Sequence, residues 1–256
     1  ATVDQEPDLG PFSGRLPFIR LLLDEAAEGR RAVPHLIVHP PIDLWARTIG
    51  ELQPVDWKFL ATTGYGGHGI PEQLLVTLEQ RFLQTGTPRG LTLVHSTGQG
   101  DGADKGLNHL GHEGLLKRVI GGHYGLMPKV VQLVLANKIE AYNLPEGAIT
   151  HLYRDIAAGK PGMLSKVGLG TFVEPRLEGG KMNRVTQEDL VTLMTVGGEE
   201  YLFYKALPIN VAFIRGTTAD PDGNITMERE ALVLENLAMA LAAKNSHGYV
   251  ICQVER

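Results

Sequence analysis

The sequence predicts an α/β domain: a mostly parallel sheet flanked by helices, with a small β-hairpin excursion. Three observations predict it. Short apolar runs alternate with segments whose apolar residues recur at helical spacing, from residue 55 to about residue 158. Most of these runs empty into a polar, glycine-rich loop, and such strand–loop–helix units require crossover connections and therefore parallel neighbours. Finally, two β-prone runs flank Gly197-Gly198, the signature of a tight hairpin.

The elements follow in order. In residues 1–54, Leu16 to Ala27 reads as a helix stopped by Gly29. Pro34, Pro40 and Pro41 then bracket the apolar run Leu36–Val38, and proline removes donors, so regular structure there should be brief. Residues 1–54 are accordingly read as an N-terminal extension and residues 55–256 as the domain. Phe59–Thr63 is a strand. A helix follows from Pro71, which suits a first turn, with Leu74, Leu75, Leu78 and Phe82 on one face and Gly86 and Pro88 at its end. Leu91–Val94 and Arg118–Ile120 are strands, Met127–Asn137 a buried helix, Ala141–Tyr142 a strand, and Ile149 to Ala158 a helix ended by Gly159 and Pro161. Phe172 to Asn183 is a glycine- and charge-rich excursion. Val191–Val196 and Glu200–Tyr204 form the hairpin, Val211–Ile214 is a strand, Asp220 to Asn224 a turn, Glu230–Lys244 a long helix, and Tyr249–Val254 the last strand.

Composition narrows the function. Of 256 residues, 43% are hydrophobic, enough for a sizeable core, and the net charge of −5 does not suit a nucleic-acid surface. The single cysteine, Cys252, leaves no intrachain disulfide framework and fits a reducing compartment. No stretch approaches the roughly 18 unbroken apolar residues of a membrane span. Asp4, Glu6 and Asp8 stand where a signal peptide would be positive. A cytoplasmic protein without membrane or nucleic-acid partners is expected.

In parallel sheets ligands bind at the carboxyl ends of the strands. Here those ends are the loops at Gly64–Pro71, His95–Gly102, Gly121–His123 and Asn143–Gly147. The first carries G-x-G-x-x-G at Gly64, Gly66 and Gly69. Yet the next strand ends at Val94-His95 without the acid that holds a ribose. Glu72 sits in the helix's first turn, where a pyrophosphate needs positive potential, and no Lys-Ser/Thr pair makes a P-loop. An NAD(P)-binding oxidoreductase domain is therefore a disfavoured reading. Two uses of the loop remain open: a tight turn that lets helix pack on strand, or bare backbone whose amides face a developing oxyanion such as that of a thioester. His109, His112 and Glu113 lie close together, but no H-E-x-x-H pattern fixes a coordination set; solvated or loop-bracing histidines are the expectation, and no metal.

The ordered segments Leu60 to Tyr65, Gly69 to Pro71, Gly98 to Gly102, Asn143 to Gly147, Lys166 to Phe172 and Arg215 to Asp220 together resemble family I coenzyme A transferases of the acyl-CoA:acetate/3-ketoacid type. They begin with Asp56, Leu60-Ala61-Thr62-Thr63-Gly64-Tyr65 and Gly69-Ile70-Pro71, with Trp57 and Thr63 departing from glycine. Gly98-Gln99-Gly100-Asp101-Gly102, Asn143-Leu144-Pro145-Glu146-Gly147, Lys166 to Phe172 and Arg215 to Asp220 continue the series. Glu174-Pro175-Arg176-Leu177-Glu178-Gly179-Gly180-Lys181 is similar to the branch with both halves on one chain, which handles short acyl-CoA and ketoacids. The resemblance covers residues 55–256 and implies the N-terminal (alpha) half of such an enzyme. It implies ping-pong transfer of coenzyme A through a nucleophilic glutamate on the C-terminal half, and so no catalytic residue of that kind here. It also implies no cofactor beyond coenzyme A as substrate, a C-terminal/beta half as partner, and a homo-oligomer of the assembled enzyme. Gly64, Gly66, Gly67, Gly69, Gln99 and Glu146 are the candidate substrate-binding residues. Gly66 and Gly67 would offer backbone contacts and Gln99 a neutral polar contact. Glu146 stands where glutamine is common in the family, and would line the site without being the nucleophile. A noncatalytic ligand-binding module on the same fold is the alternative.

Overall fold

Seven strands pair in parallel in the order β1-β12-β9-β2-β3-β4-β5 in the computed structural model, which describes residues 35–38, 58–220 and 222–255. The expected helix at Leu16–Ala27 and the motif positions Asp56 and Trp57 lie outside the described residues. The strands are β1 (His35–Val38), β2 (Phe59–Thr62), β3 (Leu91–His95), β4 (Leu116–Gly121), β5 (Glu140–Asn143), β9 (Val211–Arg215) and β12 (Tyr249–Gln253). β1 adds an edge to β12, so four residues of the segment read as an extension join the sheet.

Alternation along each strand sends neighbours to opposite faces. Leu60, Leu93, Val119, Phe213 and Ile251 enter one buried cluster, and Ala61, Val94, Ile120, Ala212 and Val250 the other. The first face is covered by α1 (Glu72–Thr85), a 3₁₀ turn (Gly106–Leu110) and α2 (Pro128–Leu135). The second is covered by α3 (Glu146–Ala157) and α4 (Asn236–Asn245), which pack on each other. α1 stops at Gly86, whose φ of 70° is left-handed and whose N–H reaches the Phe82 carbonyl, a geometry that favours glycine. Pro128 occupies the start of α2, where a missing N–H removes no helical bond.

The excursion is larger than a hairpin. β7 (Val191–Val196) and β8 (Glu199–Lys205) turn at Gly197-Gly198, and β6 (Gly162–Ser165) completes a three-stranded antiparallel sheet in the order β6-β8-β7. The Asp220–Asn224 turn joins β10 (Thr218–Ala219) to β11 (Ile225–Thr226). The segment after Glu174 runs beside β5: Gly180 accepts from the Asn143 amide at 2.8 Å, and the Met182 amide donates to Ala141 at 2.9 Å. An otherwise open sheet edge is thereby covered.

The last helix is shorter than the sequence predicts. α4 begins at Asn236, not Glu230. Leu234 adopts φ 52°, a conformation costly for a bulky residue, and breaks the helical path. The Asn236 side-chain Nδ2 then donates to the Val233 carbonyl at 2.8 Å, and Arg215 holds Glu230 at 3.0 Å. The residues before α4 therefore form an irregular arm rather than two more helical turns.

Candidate functional site at the carboxyl edge of the sheet

The sheet changes direction at β2. Strands β3, β4 and β5 step away on one side, and β9 and β12 lie on the other. Ligand crevices form at such a switch point, outside the carboxyl ends of the strands. The glycine loop after β2 stands there.

Its shape is built by hydrogen bonds to the loop after β3. The Gly66 amide donates to Gly98 at 2.8 Å, and the Gly100 amide donates back to Gly66 at 2.9 Å. Thr97 Oγ1 donates to the Gly64 carbonyl. Tyr65 and His68 exchange backbone bonds at 2.9 and 3.0 Å around Gly66-Gly67, a two-residue turn with φ 58° at Gly66, its first central position. The loop therefore turns back on itself. Glu72, at the start of α1, accepts the Gly106 amide at 2.9 Å and meets His109 at 3.1 Å, so the helix's first turn is occupied by an acid. Neither feature suits a pyrophosphate.

The six residues singled out in the sequence separate into two groups. Gly64 and Gly69 answer to the chain's own packing. A Cβ on Gly64 would come within 2.8 Å of Ile70 and 3.0 Å of Gln99, and one on Gly69 within 3.0 Å of Leu234. Gln99 is fully buried. Its Oε1 accepts from Thr62 Oγ1 and its Nε2 donates to the Thr62 carbonyl, each at 2.9 Å. Both ends of the amide are thus engaged within the chain, and in this conformation Gln99 braces the loop rather than presenting a polar contact to the crevice. Gly67 is exposed, and Gly66 and Glu146 are half-buried. A Cβ on Gly66, on Gly67, or on Gly147 beside Glu146 would meet nothing within 4 Å. Gly67 and Gly147 also lack positive φ. No contact or backbone strain among the described residues requires glycine at either position.

Glu146 begins α3, where a carboxylate is favoured by the helix dipole. It packs on bare backbone: a Cβ on Gly122 would lie 2.4 Å from its Cγ and 2.4 Å from the Ser96 carbonyl. Ser96 Oγ in turn donates to Glu235, which is almost wholly buried. Burial pushes the Glu235 carboxyl above its ordinary range, against the Ser96 hydrogen bond, and nearby Glu146 adds to the upward push. His95 is fully buried one residue away. Its Nδ1 lies 2.8 Å from the Thr97 carbonyl, which can only accept, so Nδ1 carries the proton. Burial lowers its pKa to about 4, and it is neutral. Ser96 and Glu235 were not foreseen. The one signal for Glu235 is a lone acid following the apolar run Leu232-Val233-Leu234.

Of the two expected roles, solvated or loop-bracing, His109 and His112 take the second. His109 lies 2.6 Å from Glu79 and 3.1 Å from Glu72, and His112 lies 2.6 Å from Glu79, tying the 3₁₀ turn to α1. The Glu72 hydrogen bond raises the His109 pKa against its burial, with Glu79 assisting. Glu113 pairs with Lys138 at 3.0 Å.

The chain is similar to known proteins. Residues 56–256 match the coenzyme A transferase family. A caffeate CoA-transferase from Acetobacterium woodii is 49% identical over 210 residues, covering 82% of this chain and 40% of that protein. The solved structure of an acyl-CoA transferase (YdiF) from E. coli O157:H7, a thioester complex with CoA, superposes with a TM-score of 0.79 at 42% identity, covering 85% of this chain and 44% of that one. The acetate CoA-transferase subunit alpha of Escherichia coli K12 is 29% identical over 190 residues, covering 73% of this chain and 76% of that subunit.

Proposed function

The chain belongs to the coenzyme A transferase family, and from that premise we propose that it acts as the alpha half of an enzyme moving coenzyme A between a short-chain acyl-CoA and a carboxylic or 3-keto acid. The observation that carries the reading is the bare backbone of Gly66 and Gly67 in the loop after β2, at the switch point of the sheet. Glycine with no neighbour crowding its Cβ position suits close approach of a ligand, and the Gly67 amide suits the oxyanion of a thioester. The chain spans about 40% of the caffeate CoA-transferase it matches, and a relative named as an alpha subunit aligns over most of its length. Both facts favour a C-terminal/beta half as partner. Val233 and Leu237, which flank Glu235 on the arm and α4, are 60% and 71% exposed, an apolar rim suited to such a partner.

In this reading the nucleophile is a glutamate of the partner half. Its carboxylate attacks the thioester carbonyl and the CoA thiolate leaves, giving an acyl-glutamyl anhydride. The thiolate then attacks the glutamyl carbonyl, releasing the first carboxylate and leaving a glutamyl-CoA thioester. A second carboxylate runs the two steps in reverse. Gly67 supplies its amide toward the oxyanion, Gly66 leaves room for the ligand to approach the backbone, and Gly64, Gly69 and Gln99 hold the loop. Glu146 lines the crevice without attacking. The chemistry uses no metal or organic cofactor beyond coenzyme A itself. The same reading assigns the protein to short-chain fatty acid or ketone-body metabolism in the cytoplasm, as a homo-oligomer of the assembled enzyme. No helix among the described residues is long and apolar enough to cross a membrane.

The test is exchange. Co-expressed with a C-terminal half, the chain should transfer coenzyme A from acetyl-CoA to an isotope-labelled short carboxylate, with the parallel initial-rate lines of ping-pong kinetics. A stable complex with no exchange would favour a noncatalytic ligand-binding module instead.

A further inference from the structure

Glu235 is the one buried acid at the crevice without a basic partner among the described residues. The arm that delivers it is held in place: Leu234 takes φ 52°, and its Cδ1 packs where a Cβ on Gly69 would lie, at 3.0 Å. A strained residue beside a buried acid at a ligand crevice points to a constraint beyond folding. From the arm, Glu235 accepts from Ser96 Oγ at the end of β3. The Ser96 carbonyl and the Glu146 side chain both press on Gly122 at the end of β4. Three elements thus meet around one glycine. Tyr153 of α3 stands on the same side, with its hydroxyl 3.4 Å from the Val94 carbonyl.

We propose that Glu235 is a positioning residue of this site: it holds Ser96, and through Ser96 and Gly122 it sets where the Glu146 carboxylate stands in the crevice. The proposal rests on the transferase reading and deepens it. Glu235 does not touch the reacting atoms; it fixes the wall they stand against. Burial favours its protonated form, and in that form it adds no second negative charge beside Glu146 and the incoming carboxylate substrate. A neutral acid and a glutamine side chain present the same acceptor to Ser96. Aspartate is one methylene too short to reach it.

Two arms test this. In the assembled enzyme, Glu235→Ala and Glu235→Asp should each lower kcat on the order of 30-fold through misplacement of the wall, with KM for acyl-CoA within about threefold. Glu235→Gln should recover most of the turnover. A purely structural residue would instead lower thermal stability and leave kcat intact, or be rescued equally by aspartate; either result overturns the proposal, as does a glutamine variant as slow as alanine. The second arm needs no turnover. Infrared titration of the full chain should show a protonated-carboxyl band persisting above the ordinary glutamate range of about 4.3, absent from Glu235→Gln. If no such band is lost, Glu235 is not held neutral and the proposal fails. A wild-type assembly that exchanges no coenzyme A sinks the parent reading alone, and the infrared arm still decides the state of Glu235.

Discussion

Replacing Gln99 by leucine should destabilise the domain by about 3 kcal/mol, because two buried groups lose their partners at once. Thr62 Oγ1 donates to Gln99 Oε1, and the Thr62 carbonyl accepts from Gln99 Nε2, both at 2.9 Å and both shielded from water. Leucine fills the volume and satisfies neither group. For a domain of this size the loss corresponds to a fall in Tm of about 9 °C, readable by calorimetry. The change reaches further than stability. The Gln99 carbonyl accepts the Leu107 amide at 3.1 Å, and the backbone on either side of it pins Gly66. The Gly66-Gly67 turn should therefore shift as well, and the assembled enzyme should lose turnover beyond the unfolded fraction. A Tm within 3 °C of wild type would show that the clamp contributes little.

The second large effect is expected at Gly121. A Cβ there would lie 2.1 Å from Nε2 and 2.3 Å from Cε1 of the His95 ring. The ring has nowhere to go: it is fully buried, bonded to the Thr97 carbonyl, and edge-on to Tyr124 with centroids 5.6 Å apart. Overpacking a rigid core position costs about 3 kcal/mol, and Gly121→Ala should reach that figure. The cause can be separated by a double variant. Removing the ring as well, in His95→Ala/Gly121→Ala, relieves the overlap, so the combined loss should be smaller than the sum of the single losses by more than about 1 kcal/mol. Simple additivity would place the strain elsewhere.

Both positions show how far the sequence could be read. The strand–loop–helix alternation and the apolar faces of α1 and α2 were legible because periodicity follows directly from burial on a sheet. The convergence of glycine loops on one edge followed from parallel topology alone. What lay beyond reach was tertiary. Gln99 has the chemistry of a contact residue, and only its distance to Thr62 reveals a brace. Gly64 and Gly67 look alike in sequence. One is demanded by Ile70 and Gln99, while nothing in the described chain crowds the other. The start of α4 was misplaced because Leu232, Val233 and Leu234 suit a helix locally, and the left-handed turn at Leu234 is set by the pull of Arg215 on Glu230 and of Ser96 on Glu235. β6 is four residues opening on a glycine, too short for a pattern to mark.

The central claim is a division of labour: this chain shapes the crevice and a partner half supplies the nucleophile. Intact-mass and peptide mapping after incubating the assembled enzyme with acyl-CoA tests it most directly. The account predicts a coenzyme A adduct on a glutamate of the partner half, and it predicts that the adduct still forms when Glu146 is replaced by glutamine. An adduct on Glu146, or complete loss of trapping in Glu146→Gln, would contradict it.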